Sequence, residues 1–209
     1  MGSGGGQQAN DVLGIGQKGK ERTVDAARAA VNPHYSDADA RANGWRHNCQ
    51  SCAVTQEARI RGYDVEAVSH APGAPYFPDA NGEQHKWYGA FSGANKNFPG
   101  RDGWYSVGKE TSTLLHTERQ VQREVTSWGD GARGVVSVRW KGSSSSHILN
   151  VINGGKEGIY FSDGQSNRRY RLSDILSYAS PKTGFLVTRV DNLSFTSDVR
   201  YLTKGKKNG

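Results

Sequence analysis

Residues 48–62, NCQSCAVTQEARIRG, decide how the rest of the chain is to be read. The Ala, Gln, Glu and Arg content favours a helix, and Gly62 supplies a left-handed stop at its end. Two cysteines three residues apart, Cys49 and Cys52, stand at its beginning. The preceding stretch, residues 32–48 (NPHYSDADARANGWRHN), is rich in turn formers, so the cysteines follow a loop. That spacing admits half a zinc site, a redox pair, a structural disulfide, or a nucleophile with a second thiol nearby. A structural zinc wants four nitrogen or sulfur ligands, and with no other cysteine two would have to come from six scattered histidines. A thioredoxin-like pair should follow a strand in a βαβ pattern, which is missing here. A disulfide fits a secreted chain, and a buried inert cysteine is the plain alternative for either one alone.

The nucleophile has a physical argument of its own. A thiol in the first turn of a helix sits beside unpaired N–H groups at the positive end of the helix dipole, which favours the thiolate. The same N–H groups can receive an oxyanion when the thiolate attacks a carbonyl.

Outward from this helix, residues 21–31 (ERTVDAARAAV) place Val24, Ala27 and Val31 at helical spacing, ahead of Pro33. Residues 63–68 (YDVEAV) alternate as a short strand. Residues 71–110 hold four of the six prolines and read as a long irregular insertion. Residues 111–128 (TSTLLHTERQVQREVTSW) predict an amphipathic helix with Leu114, Leu115, Val121, Val125 and Trp128 near one face. The period then changes. Residues 134–140 (GVVSVRW), 147–153 (HILNVIN) and 158–162 (GIYFS) are three short strands of an antiparallel meander, turned at Gly154-Gly155. A helix over 172–178 and a strand over 185–190 (FLVTRV) follow. Helices first and a sheet after make an α+β fold in one domain over residues 21–203, which suits a chain of 209 residues. Residues 1–20 read as a flexible linker or cloning scar and residues 204–209 as a basic tail.

Pairing the second and third strands as a hairpin brings His147 and Asp163 together, although each alone is equally a strand-edge histidine and a turn former. A carboxylate there can fix the imidazole tautomer and stabilise its cation, the part of the third member in a catalytic triad. The order Cys, His, Asp then reads as one site.

At this point the segments 48–65, 146–151 and 160–165 resemble the papain-fold toxin group described as glutamine deamidases, whose members are C-terminal domains of bacterial polymorphic toxins and phage head-associated proteins. The resemblance implies a papain-like cysteine-hydrolase fold that deamidates glutamine in a target protein, with a protease, a transglutaminase or a non-catalytic phage-derived module as alternatives. It makes His147 the base, Asp163 its orienter and Gln165 a neighbour shaping the site. Cys49 is preferred as nucleophile over Cys52, because Asn43 lies six residues before Cys49, where papain-like enzymes place an oxyanion-hole amide; Asn48 is a second candidate donor. It also implies an immunity protein covering the cleft and delivery into a target cell as part of a larger protein.

No cofactor or metal is called for. The +7 net charge is compatible with nucleic acid, but it is spread along the chain and no nucleic-acid motif accompanies it. No apolar run approaches the roughly 18 to 20 residues of a bilayer span, and no signal peptide is visible.

Overall fold

The computed structural model describes residues 11–92, 112–180 and 184–206. The turn-rich and helix-forming first part gives α1 (Val24–Arg28), α2 (Cys49–Ile60) and the short strand β1 (Val65–Ala67). Thr23 caps α1 by accepting from the Ala26 N–H at 3.3 Å. Helix α2 ends where expected, at Gly62 with φ +106°, and a Cβ there would lie 2.3 Å from the Gly19 carbonyl oxygen.

The expected helix over 111–128 divides in two. Ser112–Leu115 is a strand, β2, and the helix α3 spans Glu118–Ser127. The divider is Thr117, whose side chain accepts from the Gln120 N–H at 3.2 Å while Gln120 reaches back to the Thr117 N–H at 3.1 Å. This capping box holds Thr117 in an extended conformation, so the residues before it leave the helix path.

Strands β3 (Arg133–Arg139), β4 (Ser146–Asn153) and β5 (Ile159–Asp163) form the expected meander, and the β4–β5 reversal uses a helical turn at Gly155–Glu157. Next come β6 (Arg168–Arg171), α4 (Leu172–Leu176), β7 (Phe185–Arg189), α5 (Val199–Leu202) and β8 (Thr203–Gly205). Among the described residues the main sheet has the order β2-β7-β3-β4-β5-β6 and every pairing is antiparallel. Strands β1 and β8 make a separate antiparallel pair. The fold is thus α+β. Strands β6 and β8 were not expected, because RRYR and TKG lack the apolar alternation that marks a half-buried strand.

The sheet is covered on both faces. Val136, Val138, Leu149, Val151, Phe161, Phe185 and Val187 pack with Val121 and Val125 of α3 and Leu172 and Ile175 of α4. On the other face, Val135, Ile148 and Val190 pack with Ala53, Val54 and Ala58 of α2. Helix α2 runs along β4 in the same direction. Near its middle, Asn150 Nδ2 donates to the Ala53 carbonyl at 3.1 Å and Gln56 Nε2 to Ser162 Oγ at 2.8 Å. Near its C-terminal end the fully buried Glu57 accepts from Arg133 Nε at 2.8 Å, Arg133 Nη2 at 2.9 Å and Arg61 Nε at 2.7 Å.

Three segment boundaries differ from expectation. Residues from 11 onward pack on the domain rather than forming a loose linker: Ile15 is buried in the α2-side core and the Gly19 N–H donates to the Gly62 carbonyl at 2.9 Å. Lys204 and Gly205 belong to β8, so the basic tail begins within a strand. Residues 71–92 are irregular as expected, yet Phe77, Trp87 and Phe91 are core residues; residues 93–110 of the expected insertion lie outside the described residues. Among the described residues no helix is long and apolar enough to cross a membrane.

Candidate active site

Cys49 opens α2 and is half-buried at its N-terminus. Its partner comes from the sheet. His147 is the second residue of β4, opposite Val138 of β3, and lines the same cleft as Cys49. The β4–β5 register ends at Asn150 opposite Ser162, and one further step would set Asp163 opposite Leu149. His147 is therefore the diagonal neighbour of Asp163 on the same face, within reach of a side chain. The contact is made: His147 Nε2 and Asp163 Oδ2 are 3.1 Å apart. With Nε2 on the carboxylate, Nδ1 is the ring nitrogen left for Cys49.

Asp163 is itself fixed. Its Oδ1 accepts from the Gln165 N–H at 2.9 Å and its Oδ2 from Ser166 Oγ at 2.8 Å. Burial alone would raise its pKa, but the hydrogen bond and charge of His147, with the two other donors, hold it below the usual 3.8. Burial likewise opposes the His147 cation, yet the Asp163 and Cys49 contacts outweigh it and push the imidazole pKa from 6.5 up to about 10. The Trp140 ring stacks near His147, with centroids 6.2 Å apart and planes 28° from parallel.

These shifts set a pH dependence of stability. The folded pKa of His147 lies above its unfolded value, so its contribution is full below about pH 6.5 and is lost as pH rises through about 10. Asp163 has a lowered folded pKa, so its contribution is present above about 3.8 and is lost as pH falls through the folded value. Denaturant midpoints should therefore show the wild type ahead of Asp163→Asn at neutral pH, with the gap closing toward pH 10. A gap that stays constant over that range would mean the pair carries no linked proton.

The other expected site residues fare differently. Cys52, one turn further along α2, is buried with Val31 and Ala67. Burial, with smaller contributions from Asp163 and Cys49, pushes its thiol well above 9.0. Both cysteines are free thiols, so the CQSC segment holds no disulfide. Neither asparagine supplies an oxyanion amide. Asn43 is exposed and its Nδ2 donates to Asp39 Oδ2 at 2.6 Å, a helical-turn contact that points it away. Asn48 is fully buried, with Nδ2 donating to the Val68 carbonyl at 3.1 Å and pairing with Asn32 at 3.4 Å.

Gln165 is at the site in a stronger sense than shaping it. With its amide turned so that the oxygen faces the two donors beside it, Gln165 accepts from the backbone N–H groups of Asn48 and Cys49, each at 3.0 Å. Asn32 Nδ2 in turn donates to the Gln165 carbonyl at 3.0 Å. A carboxamide of the chain itself thus rests on the N–H groups that open α2.

Sequence reasoning missed Ser166, Trp140 and Asn32. The first two had a signal: Ser166 lies three residues past Asp163, and the β3–β4 hairpin carries Trp140 to the His147 end of the sheet. Asn32 had none. Cys49, His147 and Gln165 line a cleft of about 500 Å³. Among the described residues no group of three or more His, Cys, Asp or Glu is placed to hold a metal.

A family model described as "Papain fold toxin 1, glutamine deamidase" matches residues 47–168, from the residues before Cys49 to the start of β6. No curated protein and no solved structure matches the chain.

Proposed function

Because this chain belongs to the papain fold toxin 1, glutamine deamidase family, we propose that it is a cysteine-dependent toxin domain that converts glutamine to glutamate in a target protein. The observation that carries this reading is the meeting in one cleft of Cys49, at the N-terminus of a 12-residue helix, with His147, which is paired to Asp163 at 3.1 Å. A nucleophile, a base and a group that orients the base are the parts needed for covalent attack on an amide.

In the proposed reaction His147, its pKa raised to about 10, already holds the proton as an imidazolium beside the Cys49 thiolate, and the thiolate attacks the carboxamide carbon. Asp163 keeps Nε2 protonated and stabilises the imidazolium. The oxyanion forms against the N–H groups that open α2, taking over the position that the Gln165 oxygen holds in the free protein. His147 then protonates the departing nitrogen, the C–N bond breaks and ammonia leaves a thioester. Water, giving its proton to His147, cleaves the thioester to glutamate and returns the thiolate.

A partial test of this oxyanion position is Gln165→Glu. The carboxylate would place a fixed negative charge where the oxyanion must develop, in a site that is 8% exposed. We expect kcat for ammonia release to fall about 10²-fold or more, with KM little changed. An unchanged kcat would place the oxyanion elsewhere.

The reaction itself is tested by quantitative proteomics on cells expressing the wild type or the His147→Ala variant. Glutamine-to-glutamate conversion that vanishes in the variant supports the deamidase. New chain termini would assign a protease, and glutamine–lysine crosslinks a transglutaminase. We further propose a cognate immunity protein seated over the cleft; co-purification of a small protein that blocks Cys49 alkylation would support it.

A further inference from the structure

Two polar side chains of the cleft carry hydrogen-bonding capacity that the protein does not itself use. Ser137 lies within β3, the strand between β7 and β4, and stands opposite Leu186 and Ile148. It is 6% exposed, and among the described residues its hydroxyl has no hydrogen-bond partner. A hydroxyl taken out of water without a partner is a net loss to the fold, while the fully buried Val135, Val136 and Val138 around it show that this strand takes aliphatic side chains. Ser137 also lines the cleft that holds Cys49 and His147, where a ligand can supply the missing bond.

Gln50 follows Cys49 in α2 and lines the same cleft. Its Oε1 accepts from the Trp87 N–H at 3.1 Å. An N–H can only donate, so this contact settles which end of the amide is oxygen and leaves Nε2 with both of its hydrogens. Among the described residues those hydrogens have no acceptor. Trp87, which fixes Gln50, and Ile148, which faces Ser137 across the β3–β4 ladder, belong to one packed cluster and both line the cleft. A fixed donor and a free hydroxyl are thus set among apolar side chains. A glutamine side chain matches that description, with two methylenes that end in an oxygen needing a donor and a nitrogen needing an acceptor.

We infer that Gln50 and Ser137 recognise the substrate carboxamide, with Gln50 Nε2 donating to its oxygen and the Ser137 hydroxyl accepting from its nitrogen. This rests on the deamidase reading above for the identity of the substrate, but the two unpartnered groups are present whatever the reaction. Gln50 is held by the Trp87 backbone before any substrate arrives, so little side-chain freedom is lost when it pairs. Ser137 gains a bond that it lacks in the free protein, and a ligand without an N–H leaves that hydroxyl buried and unpaired. A site built in this way rejects an analogue that lacks the hydrogen far better than an apolar slot could.

The test separates binding from turnover. Full-length Cys49→Ala protein, which can bind without reacting, is titrated to millimolar concentration with two short peptides capped by acetyl and methylamide groups. One carries glutamine and the other its side-chain methyl ketone, in which a methyl replaces the NH₂ and the carbonyl is kept. Nuclear magnetic resonance reads the binding. The glutamine peptide is expected to bind about tenfold more tightly. Adding Ser137→Ala should remove that difference by weakening the glutamine peptide alone, without lowering Tm, since it deletes an unpaired hydroxyl. Adding Gln50→Glu, which keeps an oxygen for the Trp87 N–H and replaces the donor, should weaken both peptides alike. Equal binding of the two peptides to the Cys49→Ala parent, or binding of neither, overturns the inference. So does a Ser137→Ala variant that weakens both peptides equally or melts well below its parent, which would give the hydroxyl a structural role. Ammonia release from the glutamine peptide by the wild-type protein is read in parallel. Ser137-dependent preference for glutamine without ammonia release would overturn the deamidase reading and leave the inference standing.

Discussion

Replacing Cys49 by alanine is expected to lower ammonia release from a glutamine substrate by about 10⁴-fold or more, while Cys52→Ala retains turnover. The two thiols share a helix and differ by one turn, yet their surroundings are opposite. Cys49 opens onto the cleft that His147 also lines. Cys52 is 1% exposed, is packed with Val31 and Ala67, and is kept neutral chiefly by burial. A buried neutral thiol has neither the charge nor the access to attack a substrate. Cys52→Ala should therefore act on stability alone, by about 1 kcal/mol. Ammonia release by each purified variant, read beside alkylation of the remaining thiol, decides the matter. Loss of turnover in Cys52→Ala with full turnover in Cys49→Ala would reverse the assignment.

The largest expected effect on stability comes from Glu57→Ala. Glu57 is fully buried and takes a two-pronged contact from Arg133 and a third from Arg61. Arg61 continues the network, donating to the carbonyls of Val190 and Leu193 at 2.7 Å each and lying 4.3 Å from the Phe195 ring centre. Truncating the carboxylate leaves two guanidinium groups facing each other without their counter-charge. Breaking a buried pair by removing one partner costs about 3–5 kcal/mol, and for a chain of this size that lowers Tm by roughly 10 °C. Glu57→Gln keeps the shape and isolates the charge. A loss below about 1 kcal/mol in Glu57→Ala, the value of an exposed pair, would show that water reaches the site and that the network adds little.

What could be read in the sequence was what local pattern encodes. Helix α2 was legible in full, since its helix formers and Gly62 mark both its content and its end. The pairing of His147 with Asp163 was legible because a tight hairpin converts sequence distance into register. Strand β2 was read as helix because Leu114 and Leu115 fit the spacing of the α3 apolar face; only the reciprocal bonds of Thr117 and Gln120 separate the two elements. Strands β6 and β8 were silent because they are edge pieces stabilised by backbone pairing to β5 and β1, not by apolar alternation. The contact of Gln165 with the start of α2 joins residues remote in sequence. No local pattern reports such meetings. Asn43 failed for the complementary reason: its offset from Cys49 was right for a cleft amide, but Asp39 four residues earlier captures it first.

The direction of α2 along β4 has a consequence for when, in the life of a molecule, the chemistry switches on. Cys49 leaves the ribosome roughly 100 residues ahead of His147, a delay of about 5–20 s at ordinary elongation rates. The sheet that presents His147 is itself still incomplete then, since β7 must slot between β2 and β3 before that sheet is closed, and β8 must return to β1 after it. Throughout that interval the nascent polypeptide carries Cys49 and Cys52 with no His147 to meet them, and the arrangement of Cys49 with His147 can form only once that strand has emerged.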